Sequence, residues 1–337
     1  MDKINTTFSM PIGALGSTDV LSQILNSIGI SGSVLLQEAY CAPWAVSVPP
    51  SSALSSLLKT SKGIRVATFH LVVRGQLHVT LDDGEQFVVE QGELIVCFSG
   101  QGHVLSQGKS REVTTFQDIM AGAENRFKPT AGDEQASTLL VCGIFLLHDT
   151  ELNPLMATLP PVLKLQVDDA NQYPRLHGVI QLMLQEFGAE AGGNSFVIER
   201  YLEILCAETI RTHVDSLPKQ ASGWLAALKD PVVGRAIEAV HLAPNQQWTV
   251  KSIADKVNMS PSRFAARFVA CVGEPPMEYV VKWRMYIACR SLKNKMLSIG
   301  MVANAVGYES VASFGRAFKR HLGVSPAAWR KLGDDAG

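Results

Sequence analysis

The sequence of 337 residues predicts an α+β multidomain protein, in which a β-barrel and a pair of helices precede an all-α domain. Three observations predict this class. Residues 64–104 show the period-two alternation of strands, whereas residues from 174 onward place apolar side chains at helical spacing. The last third of the chain repeats itself at a spacing of 50 residues. The length fits about two domains.

The predicted barrel begins near residue 64 with short strands that are separated by turns. Asp82-Asp83-Gly84 predicts a hairpin turn, because Gly and Asp tolerate positive φ. One strand restarts at Phe87, and another covers Leu94 to Phe98. A further strand is predicted over residues 138–147, after a polar loop. Several short strands of this kind favour a barrel or a sandwich over residues 1–173.

Two helices are predicted over residues 174–215, after a stretch that contains four prolines. Leu176, Ile180 and Met183 define the apolar face of the first helix, and Phe196, Tyr201 and Ile204 define that of the second. Such a pair either packs on its own barrel or forms a subunit interface. Both interpretations stay open at this point, and the second one predicts a homodimer.

A polar, proline-containing segment at residues 216–222 is the predicted interdomain linker. Its reach is only ~15 Å if it is flexible, so that the two domains stay close together. The all-α domain is predicted to cover residues 223–333.

Charge is unevenly distributed along the chain. Residues 1–222 carry 14 Lys and Arg against 23 Asp and Glu, whereas residues 223–337 carry 16 against 8. A basic C-terminal part behind an acidic front suggests that only the C-terminal part meets a polyanion. Basic domains also occur without a nucleic-acid partner, so charge alone does not decide between these classes.

Cysteine usage and hydropathy favour a cytoplasmic protein without a membrane segment. The six cysteines form no CxxC pair, which excludes the usual zinc and disulfide patterns. The start of the chain lacks a signal-peptide pattern. The longest apolar run, Leu139 to Leu147, is far shorter than the ~20 residues of a membrane helix. The cysteines are Cys41, Cys97, Cys142, Cys206, Cys271 and Cys289.

An internal repeat organises the C-terminal domain. Apolar and helix-breaking residues of one copy recur 50 positions later in the other. The first copy has Ser260, Phe264, Phe268, Gly273, Pro276 and Tyr279, and the second has Ser310, Phe314, Phe318, Gly323, Pro326 and Trp329. A shorter match upstream has a spacing of 49, which gives the second copy one extra residue in its turn.

Each copy has the pattern of a helix-turn-helix unit. A small residue, Ala254 or Ala303, lies where two helices approach closely. After a turn, Ser260 and Ser310 are predicted N-caps, since a hydroxyl can accept a hydrogen bond from a free amide of the first turn. Pro261 suits the first position of its helix, where no N–H is needed.

The residues between the phenylalanine anchors must face outward. Small side chains mixed with arginines on an exposed helix suit close approach to base edges. The alternative is a plain helical repeat with solvated basic faces. In the first copy these residues are Ser262, Arg263, Ala265, Ala266 and Arg267, and in the second Ala312, Ser313, Gly315, Arg316, Lys319 and Arg320.

A helix from about Pro276 to Lys293 connects the two copies. At 1.5 Å per residue it spans roughly 27 Å. A rigid helix of this length could hold two recognition helices near one DNA turn apart, about 34 Å. One chain could then contact two adjacent major-groove segments.

Residues from about 223 to 332 resemble the DNA-binding domain of the AraC/XylS family. The segments Val306 to Arg320 and Gly323 to Arg330 carry the resemblance. It implies double-stranded DNA as a partner, with Lys319 and Arg320 on phosphate. The departure from the family pattern is at Ala265 and Ala266, where longer polar side chains are common. We expect base-facing positions at Ser262, Arg263, Ala266, Arg267, Ala312, Ser313 and Arg316.

Residues 19–211 resemble the cupin-type sensor domain of one branch of this family. Phe69 to Gly75 and Gly92 to His103 carry the resemblance. A metal cupin needs a His-x-His pair, a glutamate and a later histidine. His103 has the position of the later histidine, but His70 and His78 are eight residues apart, so we expect no metal or other cofactor. The candidate effector-pocket residues are Trp44, His70, His78, Phe98 and His103.

Together these features predict a dimeric, cytoplasmic transcriptional regulator, more an activator than a repressor on family grounds, and not an enzyme. RNA polymerase and an unknown small-molecule effector are the further partners that the resemblance implies. Two alternatives stay open for the front domain. One is a cupin-type metal oxygenase or isomerase fused to a DNA-binding module, and the other is a dimerisation domain without a ligand.

Overall fold

The computed structural model describes residues 19–61, 63–109, 112–121, 127–129, 137–150, 153–188, 192–218 and 221–334. Within these ranges, ten strands form two five-stranded sheets, ordered β1-β9-β3-β6-β10 and β5-β4-β7-β2-β8. The strands are β1 (Ile30–Tyr40), β2 (Trp44–Val48), β3 (Arg65–Arg74), β4 (Gln76–Leu81), β5 (Gln86–Glu90), β6 (Glu93–Cys97), β7 (His103–Gln107), β8 (Thr114–Thr115), β9 (Thr138–Leu147) and β10 (Val162–Gln166).

The two sheets enclose one apolar core, and the first sheet has a second core on its outer face. Strand β3 shows why. Val66 and Val72 point into the core between the sheets, whereas Ala67, Phe69 and Leu71 point toward helices on the other side. A strand that is buried on both faces has a nearly continuous apolar sequence rather than a clean alternation. The first sheet of the barrel therefore lies between the second sheet and a layer of helices.

Of the six front-domain helices that the structure describes, four bury side chains in the core on the outer face of the first sheet, whereas the two that follow β2 and β8 bury theirs in the core between the sheets. The two longest pack against each other, and the second of them also packs against β1. The helices are α1 (Val20–Ser27), α2 (Ser51–Leu57), α3 (Phe116–Met120), α4 (Pro154–Thr158), α5 (Pro174–Phe187) and α6 (Asn194–Ser216).

The described residues that follow α6 form helices and the loops between them. Two helix-turn-helix units, α9–α10 and α12–α13, flank the long helix α11. The helices are α7 (Trp224–Ala227), α8 (Val233–Leu242), α9 (Val250–Lys256), α10 (Pro261–Val272), α11 (Pro276–Lys293), α12 (Ile299–Ala305), α13 (Val311–Leu322) and α14 (Pro326–Asp334).

The two domains share a continuous apolar core and a polar contact within it. The hydroxyl of Tyr286 on α11 lies 2.6 Å from Ser27 Oγ at the end of α1, and it accepts a hydrogen bond from Asn153 Nδ2 at 3.0 Å. At the edge of this contact, Lys293 Nζ lies 2.5 Å from Asp149 Oδ1. A buried, fully hydrogen-bonded contact fixes orientation, because a misplaced partner would leave polar groups without hydrogen bonds.

The structure confirms the predicted fold class and several elements. The strand over residues 138–147 and the helix from Pro276 to Lys293 have the predicted bounds. The hairpin turn lies between β4 and β5, with Gly84 at a φ of 91°. One detail is wrong: Ser260 is the N-cap of α10, but its side chain makes no capping hydrogen bond. In the predicted linker, residues 219 and 220 lie outside the described part of the chain.

Among the helices of the described residues, none combines the length and the apolar character that crossing a bilayer requires.

Candidate nucleic-acid interface

The first helix-turn-helix unit is built on a capped first helix and an aromatic anchor on the second. Thr249 caps α9, where its side chain and that of Ser252 exchange hydrogen bonds with each other's backbone amides. Such a capping box satisfies donors that would otherwise lack a partner. On α10, Phe264 and Phe268 are buried with ring centroids 5.7 Å apart. This anchor fixes which side of α10 faces solvent.

The second unit repeats this construction with a turn that is one residue longer. Ser298 caps α12 and Ser310 caps α13 through their side-chain oxygens. Between the helices, Gly307 has a φ of 80°, and a Cβ there would lie 2.8 Å from Asn245 O in the first unit. Only glycine combines this φ with so close an approach. The turn of the second unit is therefore packed directly against the first unit.

The structure places the predicted residues of α10 on two kinds of surface. Ser262, Arg263 and Ala266 are exposed. Arg267 is partly buried, and its Nη2 donates to Asp230 Oδ2 at 2.7 Å. Sequence patterns gave no sign of this ion pair, because Asp230 lies 37 residues upstream.

On α13 the exposed face carries the predicted cations. Ala312, Arg316, Lys319 and Arg320 are exposed, and within the described residues the guanidinium of Arg316 has no carboxylate partner. Ser313 is partly buried, and its hydroxyl donates to Ser310 O at 2.9 Å. The exposed side of this helix therefore offers one small residue and three cations to a polyanion.

Helix α11 holds the two units together through Arg284, which sequence analysis did not single out. The Arg284 Nε donates to Pro244 O at 2.8 Å, and its Nη2 donates to Gln246 O at 2.7 Å. The same guanidinium lies 5.7 Å from the ring centroid of Tyr308 in the turn of the second unit. One buried side chain thus ties the loop before α9 to the turn before α13.

Inside the barrel the structure brings together two of the five candidate pocket residues. His70 and His103 are buried, and their Nε2 atoms lie 2.8 Å apart. The Nδ1 of His103 lies 3.2 Å from Gln101 O, and because a carbonyl only accepts, His103 carries its proton on Nδ1. His70 therefore donates its Nε2–H to His103, and its own Nδ1 is left as a buried acceptor without a partner among the described residues.

Both rings of this pair are neutral at physiological pH. Burial, together with the nearby His103 ring, lowers the pKa of His70 well below its ordinary value. Burial also lowers the pKa of His103. A pair of neutral imidazoles, one donor and one acceptor, recognises polarity without carrying charge.

The other three candidates lie elsewhere. His78 is on the face of β4 opposite to Leu77 and Val79, which point into the barrel. Phe98 belongs to the core between the first sheet and the helices. Trp44 is in the barrel core, but it pairs with Gln107 at the far end of β7 from His103.

The residues of the barrel do not fit the metal site that its fold class implies. His70 and His103 hydrogen-bond to each other and do not converge with further ligands. No cluster of three or more histidine, cysteine, aspartate or glutamate side chains suited to a metal occurs in the described ranges. We therefore derive no chemistry through a metal.

Comparison with known families covers most of the chain. The family described as Cupin matches residues 19–215, and a family described as a helix-turn-helix domain matches residues 253–332. These two matches coincide with the barrel and its helical pair, and with the two helix-turn-helix units.

Similar proteins that are matched over most of their own length are named as regulators. The HTH-type transcriptional regulator AlkR of Acinetobacter baylyi is 29% identical over 93% of this chain and 99% of its own length. A putative AraC-like transcription regulator of Streptomyces antibioticus is 30% identical over 79% of this chain and 88% of its own. Among solved structures, the DNA-binding domain of AdpA in complex with a target DNA is 29% identical, covers 31% of this chain and 93% of that chain, and has a TM-score of 0.29.

Proposed function

This chain belongs to the AraC/XylS family of DNA-binding transcriptional regulators with an N-terminal cupin domain, and from this premise we propose that α10 and α13 contact two adjacent major-groove segments of one site. One observation carries the proposal. The two helices present the same kind of face, small residues beside arginine, and a single rigid helix of 18 residues connects their units. Its length of roughly 27 Å is close to one turn of DNA.

We assign the base contacts to the exposed members of the predicted set. Arg263 and Arg316 are the side chains with guanidinium groups suited to guanine, and Ala266 and Ala312 are small enough to contact a thymine methyl group. Ser262 lies beside them. Lys319 and Arg320 are assigned to phosphate.

For Arg267 and Ser313, a contact with a base stays a prediction, and making it would cost free energy. Each would have to exchange a hydrogen bond within the chain, to Asp230 or to Ser310, for a contact with a base. This cost favours an orienting role for both side chains over direct contact.

Genome-wide mapping of bound sites tests the assignment. Bound fragments of the wild type should share a motif of two half-sites about 10 base pairs apart. The Arg263→Ala/Arg316→Ala variant should lose enrichment at these sites, while the exposed control Arg235→Ala keeps it. A single undivided motif, or enrichment that survives the double substitution, would contradict the proposal.

The proposed active form is a homodimer through the α5–α6 pair. This pair exposes apolar side chains that its own barrel does not cover: Phe196 is 66% exposed, Leu182 48% and Ile204 46%. We expect Phe196→Asp/Ile204→Asp to convert the dimer into a monomer in light scattering, because buried charges oppose association. Val88→Asp on β5, where the valine is 44% exposed, is the matched control and should stay dimeric. A monomeric wild type would contradict this assignment.

The remaining roles follow from the family and stay proposals. We propose that the regulator works in the cytoplasm as an activator that contacts RNA polymerase, and that a small-molecule effector changes its action. A sensor role for the cupin domain is supported over catalysis by the His70–His103 pair, because the two Nε2 atoms hydrogen-bond to each other instead of converging on a metal. Ligand-induced stabilisation without turnover would support the sensor, whereas turnover of a bound molecule would support the oxygenase or isomerase alternative.

A further inference from the structure

A cavity of about 540 Å³ lies between the cupin domain and the DNA-binding domain, away from the histidine pair. The front domain contributes Arg65 at the start of β3 and the segment around α4. The DNA-binding domain contributes α7, α11 and the end of α10. Cavities of about 300–1,000 Å³ are typical of small-molecule sites, and domain interfaces are a frequent place for them. We refer to it below as the interdomain cavity.

One wall of the interdomain cavity is aromatic and rigid before any ligand enters. Trp224, Tyr279 and Trp283 line it. The indole N–H of Trp224 donates to the Tyr279 hydroxyl at 2.9 Å, and His241 stacks on Trp283 with centroids 3.6 Å apart and planes 6° apart. Ring planes fixed in this way favour flat ring systems, which stack or meet them edge to face.

Among the residues that the structure describes, Lys282 and Arg65 bring the permanent positive charges to the interdomain cavity, and they differ in their partners. Lys282 is paired with Glu274 at 2.5 Å and with Glu278 at 3.5 Å. Arg65 is partly buried, and within the described residues its side chain has no hydrogen bond or ion pair. A guanidinium beside an apolar wall suits a carboxylate, which it binds through two parallel hydrogen bonds.

We propose that the interdomain cavity binds a small carboxylate with a flat, ring-containing apolar body. The carboxylate pairs with Arg65, and the ring lies against Trp224 and Trp283. Met156 and Met285 supply adaptable apolar contacts at its edges.

A ligand in this position touches the elements that set the geometry of DNA binding. Asn153 lines the cavity and also donates to Tyr286, the buried contact between the domains. His321, at the end of α13, lines it as well. Ligand binding should therefore change the docking of the DNA-binding domain and its DNA affinity. This regulatory half rests on the proposed function, whereas the binding site does not.

Titration calorimetry on the full chain tests the site with two probes of matched size, 2-naphthoate and the neutral 2-naphthol. We expect 2-naphthoate to bind with a Kd below about 1 mM. Arg65→Gln should weaken 2-naphthoate by about tenfold or more, and 2-naphthol by much less, because a charge-assisted hydrogen bond is lost. Arg74→Gln, at the other end of β3, is the control and should leave both probes unchanged.

A second variant tests the location independently of charge. Ala157 is exposed on α4 and lines the interdomain cavity, so Ala157→Trp should fill the cavity and prevent binding of both probes without disturbing the core. Binding that both variants retain, no binding of 2-naphthoate up to about 1 mM, or octanoate binding as tightly as 2-naphthoate would overturn the proposal. Binding that follows the predicted pattern but leaves DNA affinity unchanged would confirm the site and contradict only its regulatory role.

Discussion

At the level of single residues, sequence-specific binding depends on which cations contact bases and which contact phosphate. Arg316 and Lys319 are neighbours on α13, both are exposed, and neither has a carboxylate partner within the described residues. Their charges are equal, so electrostatics alone predicts equal effects. A base contact differs from a phosphate contact in its dependence on sequence rather than in its strength.

Arg316→Ala should therefore cost about 1–3 kcal/mol on the cognate site and relax specificity at one base pair. Lys319→Ala should weaken binding to cognate and random DNA alike and reduce the slope of log K against log[salt] by about one unit. Fluorescence anisotropy at several salt concentrations measures both. Equal losses on cognate and random DNA for Arg316→Ala would show that this side chain contacts the backbone.

A second prediction at this scale concerns His241, a buried imidazole in the DNA-binding domain. Its Nε2 lies 2.6 Å from the Tyr279 hydroxyl, and burial lowers the pKa of His241 to about 3. In the unfolded chain the pKa is about 6.5. Between these values the unfolded chain binds one more proton than the folded chain, so the free energy of unfolding falls as the pH decreases below about 6.5.

Replacing His241 should flatten this dependence. From pH 6.5 to 5.0 the wild type should lose up to about 1.4 kcal/mol per pH unit through this group, and His241→Phe should lack that contribution. Urea denaturation at a series of pH values, followed by tryptophan fluorescence, measures both proteins. A variant that loses stability on acidification as steeply as the wild type would show that His241 is not the group responsible.

At the element scale, the spacing between the two recognition helices depends on more than the length of α11. Arg284 connects the loop before α9, through Pro244 O and Gln246 O, with Tyr308 in the second turn. Gln247 Nε2 adds a hydrogen bond to Gly307 O at 3.0 Å. We expect these contacts to hold the two units in one arrangement, so that they should tolerate only one spacing of half-sites.

Arg284→Met should loosen this spacing. One base pair inserted between the half-sites should weaken the wild type by about tenfold or more, because a displaced recognition helix loses contacts worth 1–3 kcal/mol each, roughly. For Arg284→Met, the affinities for the original operator and for the operator with the inserted base pair should differ by less than about threefold. The ratio of the two affinities for Arg284→Lys, which keeps the charge but not the forked geometry, should lie between the ratios of the wild type and of Arg284→Met. Since each protein is compared on two DNAs, a general loss of folded protein cancels. If the ratio of the two affinities is the same for Arg284→Met as for the wild type, Arg284 does not fix the spacing of the two units.

In the molecule as a whole, local features could be predicted from the sequence, whereas contacts between distant residues could not. The repeat gave α11 its correct bounds and the anchors Phe264 and Phe314 their buried positions, because helical spacing and caps are local signals. The contact of Tyr286 with Ser27 joins residues 259 positions apart, and no local pattern encodes it. Strand β10 was not predicted, because the prolines around it indicate an irregular segment.

The candidate pocket shows the same limit. His70 and His103 were found through a resemblance, and the packing of one sheet on the other brings their Nε2 atoms together, because β3 and β7 belong to different sheets. His78 was chosen by its position in the sequence, and strand alternation places it on the opposite face of β4. The interdomain cavity was not predicted at all, since its walls come from elements of both domains that meet only in the folded chain.

A hydroxyl-radical footprint of the full chain on a site found by mapping tests whether α10 and α13 lie in adjacent major grooves. If α10 and α13 occupy adjacent major grooves, each protomer should protect two segments about 10 base pairs apart on one face of the duplex. Arg316→Ala should weaken protection in one of the two segments. A footprint of a single segment per protomer, or protection that wraps both faces, would show that the paired helices do not bind DNA in this way.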